Sequence, residues 1–478
     1  MPVILQEKLI QWILRPLSRV TEKFPERVRN AAFSLSVLGI ILMEFARGSR
    51  LYSGRFLYQY IIAYAFFGIM ILAGLTPELK PVRFSPVLTV FWLGVTVHMA
   101  LTGFLVNTDA LANAILWIGV FPVLYLVWSR QGLERMVPLI IRGVLFSFLV
   151  FAVISIFFFP IKTIDYSSFC ANRNRTSLYL VAVFVCVFIY ILSAKKYSLR
   201  LFLADLLLGF VSATIYYTNC RTGIVAAAFC FLSTALLQLL IYRKNWRHVL
   251  FCRLLPAIAA VIFLMPSAIY IYNGGYHLKT SIQTALTRLA EPVSSGEPTP
   301  VEPTPVEPTP VEPPPSAILD SMKDYNDRRF DTEEKNVNTY TSGRAELWRI
   351  HLEQIGLLGN PADKVLYDAV GEVEIRSSHF TIIQYSYEYG ALAGVFFLAL
   401  NLLAGLASIR YAIKWRDAKY ALWPFAVAVI FGGNSVMEAI GSPAQNTLDL
   451  LYFLSLTPLV IASPLPEGNE SKESALAK

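Results

Sequence analysis

Charge is what this sequence is shortest of. Only 15% of its residues are Asp, Glu, Lys or Arg, where a soluble chain carries about 25%. A shortage spread over 478 residues excludes a soluble globular protein. Cysteine is scarce too, five in all, which excludes a disulfide scaffold. Cys186, Cys230 and Cys252 fall in apolar runs and read as small apolar residues. Cys170 and Cys220 fall in polar connections and could form one bond between them. No His/Cys/Asp cluster has metal-ligand spacing and no glycine-rich phosphate loop is evident, so neither a metal nor another cofactor is expected. The first thirty residues are polar and basic and Val3–Leu14 is short and broken, so no cleavable signal peptide is expected. With Ile4, Leu9, Trp12, Ile13 and Leu17 on one face, that stretch reads as an interfacial helix.

Apolar residues are what the chain has instead. They make up 55% of it, and the mean hydropathy is +0.52. A bilayer core takes about 20 apolar residues per helix. Twelve stretches qualify: 30–46, 56–75, 86–106, 110–128, 137–159, 177–194, 201–217, 223–242, 249–272, 389–409, 420–438 and 446–464. The expected fold is an all-α polytopic membrane protein of about 12 transmembrane helices. The closest pairs, the third with the fourth and the seventh with the eighth, predict tight antiparallel hairpins.

The net charge of +8 is not a nucleic-acid footprint. With the N-terminus in the cytoplasm, the inward segments hold about three times as many Lys and Arg as the short outward loops. Both termini are then cytoplasmic. Three cations break the pattern, Arg173, Arg175 and Arg221, and an anionic ligand on the outward face would give them a reason. Arg142 and Asp205, near the inward ends of their spans, read as snorkelling side chains.

Three regions follow: residues 1–272 with spans one to nine, a large outward loop 273–388, and 389–478 with the last three spans. Within the loop, Glu297–Pro315 reads EPTPV three times and then EPPP. Such proline density predicts polyproline II, about 60 Å long at ~3.1 Å per residue: a spacer or wall-crossing arm, or a tolerated insertion whose deletion would leave activity unchanged. The chemistry is expected in 341–388. There Ser342 is a candidate N-cap for a helix from Arg344 to Leu358, stopped by Gly359-Asn360-Pro361. His379 opens an apolar-aromatic stretch ending at Tyr389. Glu388 reads as an arginine partner or a cap for the last hairpin, and Glu438 and Asp449 as carboxylates facing a polar cavity. Of the other histidines, His98 reads as a satisfied interior residue, His248 as interfacial, and His277 and His351 as lacking a motif.

These pieces resemble the O-antigen ligase and oligosaccharide repeat-unit polymerase superfamily. Phe169-Cys170-Ala171-Asn172-Arg173-Asn174 is similar to its asparagine-containing element. Asn219-Cys220-Arg221-Thr222-Gly223 is similar to its Ser-Arg-Thr element, with Cys220 in place of the serine. Ser342-Gly343-Arg344 with Trp348 and Gly359 resembles the start of its external loop. Ser378-His379, then Glu388-Tyr389-Gly390 and Gly394, resembles its His-Asn and Glu-x-Gly-x-x-Gly elements, with Phe380 in place of the asparagine.

The resemblance implies a glycosyltransferase-C-like, metal-independent enzyme of the cytoplasmic membrane, active on its external face. Its donor would be an undecaprenyl-diphosphate-linked oligosaccharide and its acceptor a glycan hydroxyl. Arg221 and Arg344 would stabilise the leaving diphosphate, and His379 would activate the acceptor. Arg173, Arg175, Asn174 and Glu388 would bind substrate. Polymerisation of repeat units into a surface polysaccharide is the primary expectation. A ligase moving the glycan to lipid, protein or wall shares the donor site. A flippase for the same lipids would instead need midplane charges or broken helices and an internal repeat.

Overall fold

A computed structural model of the chain describes residues 12, 16–48, 56–75, 83–120, 133–162, 165–170, 172–290, 344–362, 364–367, 374–375, 377–442 and 444–462. The protein is mostly helical, at 81%. The helices are α1 (Glu26–Gly48), α2 (Phe56–Gly74), α3 (Pro86–Leu105), α4 (Thr108–Ile115), α5 (Leu133–Phe158), α6 (Arg173–Ser193) and α7 (Leu199–Tyr217). They continue as α8 (Arg221–Ile241), the short helical segment Trp246–Val249, then α9 (Leu255–Ala290), α10 (Arg344–Leu352), α11 (Thr381–Tyr389), α12 (Ala391–Lys414), α13 (Trp423–Ser435) and α14 (Thr447–Val460). Strands among the described residues are two antiparallel two-residue pairs, Arg83–Phe84 with Ile461–Ala462 and Leu366–Tyr367 with Glu374–Ile375.

Each of the twelve apolar stretches overlaps a helix among the described residues. Eight helices are long and apolar enough to cross a membrane; α2, α4, α13 and α14 fall short on the described residues. The proline repeat, Ser342 and most of the N-terminal amphipathic stretch lie outside them.

Helix α6 is the axis of the bundle. From Thr176 to Leu192 every residue but Tyr190 is buried, as expected of a helix apolar all round. Helices α1, α5, α7, α8, α13 and α14 pack about it or its neighbours. Its N-terminus therefore opens at the centre of one end of the bundle.

Several expectations are corrected. Helix α9 does not end at 272 but runs to Ala290; its 36 residues reach about 54 Å. Gly209 lets α7 approach it, since a Cβ there would lie 2.5 Å from the Ala260 carbonyl. Consequently α7 lies along α9 and α8 along α13, and α7 and α8 meet only at their shared corner rather than as a tight hairpin. Asp205 does not snorkel: it is buried, with Tyr197 Oη donating to its Oδ2 at 3.0 Å. Helix α10 stops at Leu352, not Leu358. Beyond it the chain folds onto the α11–α12 corner, where Ala391 N donates to Gly356 O at 2.9 Å. Glycine is obligatory at this corner. A Cβ on Gly359 would sit 1.7 Å from the Glu388 carbonyl oxygen, and Gly390 has φ +99.

Candidate functional site

At the end of the bundle where α6 opens, one carboxylate collects three of the motifs. Glu438 Oε1 accepts from Asn174 Nδ2 at 2.7 Å and from Arg344 Nη2 at 3.1 Å. Its Oε2 lies 3.2 Å from His379 Nδ1. The Glu438 side chain is 10% exposed, that of Arg344 19% and that of His379 37%. Helix α13 ends at Ser435, so Glu438 stands on the turn beyond it. There its N donates to Asn434 O at 2.9 Å and its O accepts from Thr381 Oγ1 at 2.8 Å. The carboxylate is thus fixed by α13 and by the start of α11.

A carboxylate can only accept, so His379 Nδ1 carries the hydrogen; in the neutral imidazole Nε2 then keeps the lone pair. His379 has a positive φ of 52, uncommon for a residue with a side chain. Ser377 Oγ accepts from its backbone N at 3.1 Å, and Gln384 Oε1 accepts from Ser378 N at 2.8 Å. Of the three further non-glycine positive-φ residues among those described, Ser168 and Asn219 lie in the loops before Arg173 and Arg221, and Tyr420 precedes α13. Strained backbone of this kind costs about 1–3 kcal/mol and clusters at functional sites.

Arg221 opens α8. Ala226 meets Gly433, and Cys230 Sγ meets Ala426 O at 3.4 Å. This antiparallel register brings the start of α8 level with the turn bearing Glu438. The neighbouring Cys220 lies within electrostatic range of both Glu438 and Arg173.

The other cations are tied elsewhere. Arg173 forms an ion pair with Asp165, which also accepts from Asn219 Nδ2 at 3.5 Å. Arg175 Nη1 donates to Arg47 O at 3.3 Å, toward α1 and away from Glu438. Cys170 and Cys220 are free and buried. Asp165, not a disulfide, joins the two arginine-bearing loops.

Glu388 pairs with no arginine among the described residues; its Oε1 accepts from Gln384 Nε2 at 2.7 Å. Burial pushes its pKa up. Asp449 forms a reciprocal cap with Asn446 at the start of α14, a structural task. His98 packs against Phe396, and its buried Nδ1 lacks a hydrogen-bond partner, so it is not satisfied as expected. His351 is buried under Tyr387, its Nδ1 2.8 Å from Leu347 O, and burial pulls its pKa down. Where the superfamily's asparagine would stand, Phe380 packs on Trp348 at 5.5 Å between ring centroids.

Sequence reading missed the centrality of Glu438. The available signal was a carboxylate closing an otherwise apolar run. No protein-family model matches the chain, and no curated protein matches it.

Proposed function

We propose that this chain is a membrane glycosyltransferase that polymerises undecaprenyl-diphosphate-linked oligosaccharide repeat units on the outer face of the cytoplasmic membrane. The observation that carries the reading is the grip of Glu438 on Arg344, His379 and Asn174 together. The positive-inside charge pattern supports cytoplasmic termini and an outward-facing site.

In this reading the acceptor hydroxyl oxygen attacks the anomeric carbon of the donor. The bond from that carbon to the phosphate oxygen breaks, and undecaprenyl diphosphate leaves with the electron pair. Glu438 orients the imidazole, and His379 Nε2 takes the hydroxyl proton. Arg344 commits one Nη to Glu438, which leaves guanidinium donors for the charge growing on the diphosphate. Arg221, at the start of α8, is the second cation. Arg173 and Arg175 act at longer range, through the field they add to this end of the bundle.

The test in cells is the chain-length distribution of the surface glycan. Arg344→Ala and His379→Ala should each abolish long chains while the protein still inserts. A wild-type distribution in both variants would remove the mechanism.

A further inference from the structure

Side chains, not a backbone ladder, hold the left-handed turn at His379. Ser378 N donates to Gln384 Oε1 at 2.8 Å, His379 N to Ser377 Oγ at 3.1 Å and Phe380 N to Ser378 Oγ at 3.2 Å. The two serine acceptors belong to the turn itself. Gln384 does not: it stands one turn into α11 and ties the His379 loop to that helix. Ser378 is buried, so its N–H depends on this acceptor.

The donor and acceptor roles run in one direction. A backbone N–H can only donate, so the Gln384 atom facing Ser378 is the oxygen. Its Nε2 then points the other way and donates to Glu388 Oε1 at 2.7 Å. Residues four apart share a helix face, which puts Glu388 behind Gln384. Glu388 can accept there whether or not its carboxyl is ionised. It is itself held. The Tyr389 hydroxyl accepts from Asn113 Nδ2 at 2.9 Å and hydrogen-bonds to Glu388, whose backbone carbonyl packs on Gly359.

We infer that Gln384 and Glu388 are positioning residues for His379. Glu388 fixes the orientation of the Gln384 amide, and Gln384 holds the turn that aims Nδ1 at Glu438. Glu388 then serves the site without touching substrate, unlike the substrate-binding role its motif implies. As an aid to a general base the arrangement rests on the glycosyltransferase reading; as a constraint on the imidazole it does not. Released from the turn, the neutral imidazole reverts toward the Nε2–H tautomer that prevails in water. That form has no lone pair on the nitrogen meant for the hydroxyl proton.

The test is nitrogen NMR of the full-length protein, isotopically labelled at histidine and held in lipid nanodiscs, above the histidine titration range. The His379 signal is the one missing from His379→Gln. The wild type should show hydrogen on Nδ1. Gln384→Met, which keeps the side-chain length and removes both hydrogen bonds, should move most of the population to Nε2–H. Its kcat with lipid-linked donor should fall about tenfold while KM stays within about twofold. Glu388→Leu should shift the signal the same way, and Glu388→Gln, which keeps an acceptor, should restore it. Should Gln384→Met fail to fold, the two Glu388 variants decide. Hydrogen retained on Nδ1 in Gln384→Met or Glu388→Leu would overturn the inference. So would a Glu388→Gln as slow as Glu388→Leu with its His379 signal unmoved, since Glu388 would then act on substrate. The tautomer shift in a protein that transfers no glycan would uphold the positioning and overturn the catalytic reading instead.

Discussion

His379 Nδ1 and Glu438 Oε2 stand 3.2 Å apart, one on the loop that opens α11 and the other on the turn that closes α13. The pair fixes which imidazole nitrogen is left for chemistry. His379→Ala should therefore lower transfer about 10²–10⁴-fold, the usual contribution of a general base. Glu438→Gln keeps an acceptor for Nδ1 but gives up the charge facing Arg344. A hydrogen bond to a charged group is worth ~1.5–3 kcal/mol, so that variant should lose about 10–150-fold. Steady-state rates with lipid-linked donor separate the two, and equal losses would mean that Glu438 does more than orient.

Acidification should weaken the fold through His351. Burial lowers its folded-state pKa below the ordinary histidine range, so the unfolded chain binds the proton more tightly. The stability it supports is complete above the unfolded value, about 6.5, and is lost as pH falls below it. Thermal unfolding at pH 7.5 and 5.5 should show a smaller loss in His351→Phe than in the wild type. An identical loss would assign the pH dependence to other groups.

Gly359→Ala should be among the most damaging small substitutions in the chain. Its new Cβ would meet a backbone carbonyl at 1.7 Å, which no rotamer change relieves, and overpacking costs ~1–3 kcal/mol or more. Gly405 is the control: a Cβ there meets nothing within 4 Å, so Gly405→Ala in mid-helix should stabilise by up to ~1 kcal/mol. Melting temperatures of the two variants, moving in opposite directions, check both.

All five cysteines should titrate as free thiols in denaturant without reductant. In the folded protein Cys170 should react slowly, because burial pushes its pKa up to about 11 and the thiolate is the reactive form. A denatured count of three would restore a Cys170–Cys220 bond.

The helices were legible because long apolar runs leave the backbone little choice but to bond within itself. What the runs hid was where helices stop. Glu438 read as the last residue of an apolar run, whereas α13 ends at Ser435 and frees the carboxylate to reach three motifs at once. Arg173, Asn174 and Arg175 read as one ligand-facing group. Yet Asn172 caps α6, and successive residues on a helix point about 100° apart. So Asn174 reaches Glu438, Arg173 turns to Asp165 and Arg175 to α1. Polar spacing on a helix start cannot say which neighbour faces inward until the packing of the next helix is known.

The central claim is that Arg344 and His379 carry out glycosyl transfer together. It is tested most directly by incubating purified protein with undecaprenyl-diphosphate-linked repeat units and no other acceptor, then resolving the products by size. The account predicts a ladder of lengthening glycans from the wild type and none from Arg344→Ala or His379→Ala. An unchanged ladder from either variant, or no product from the wild type, would contradict it.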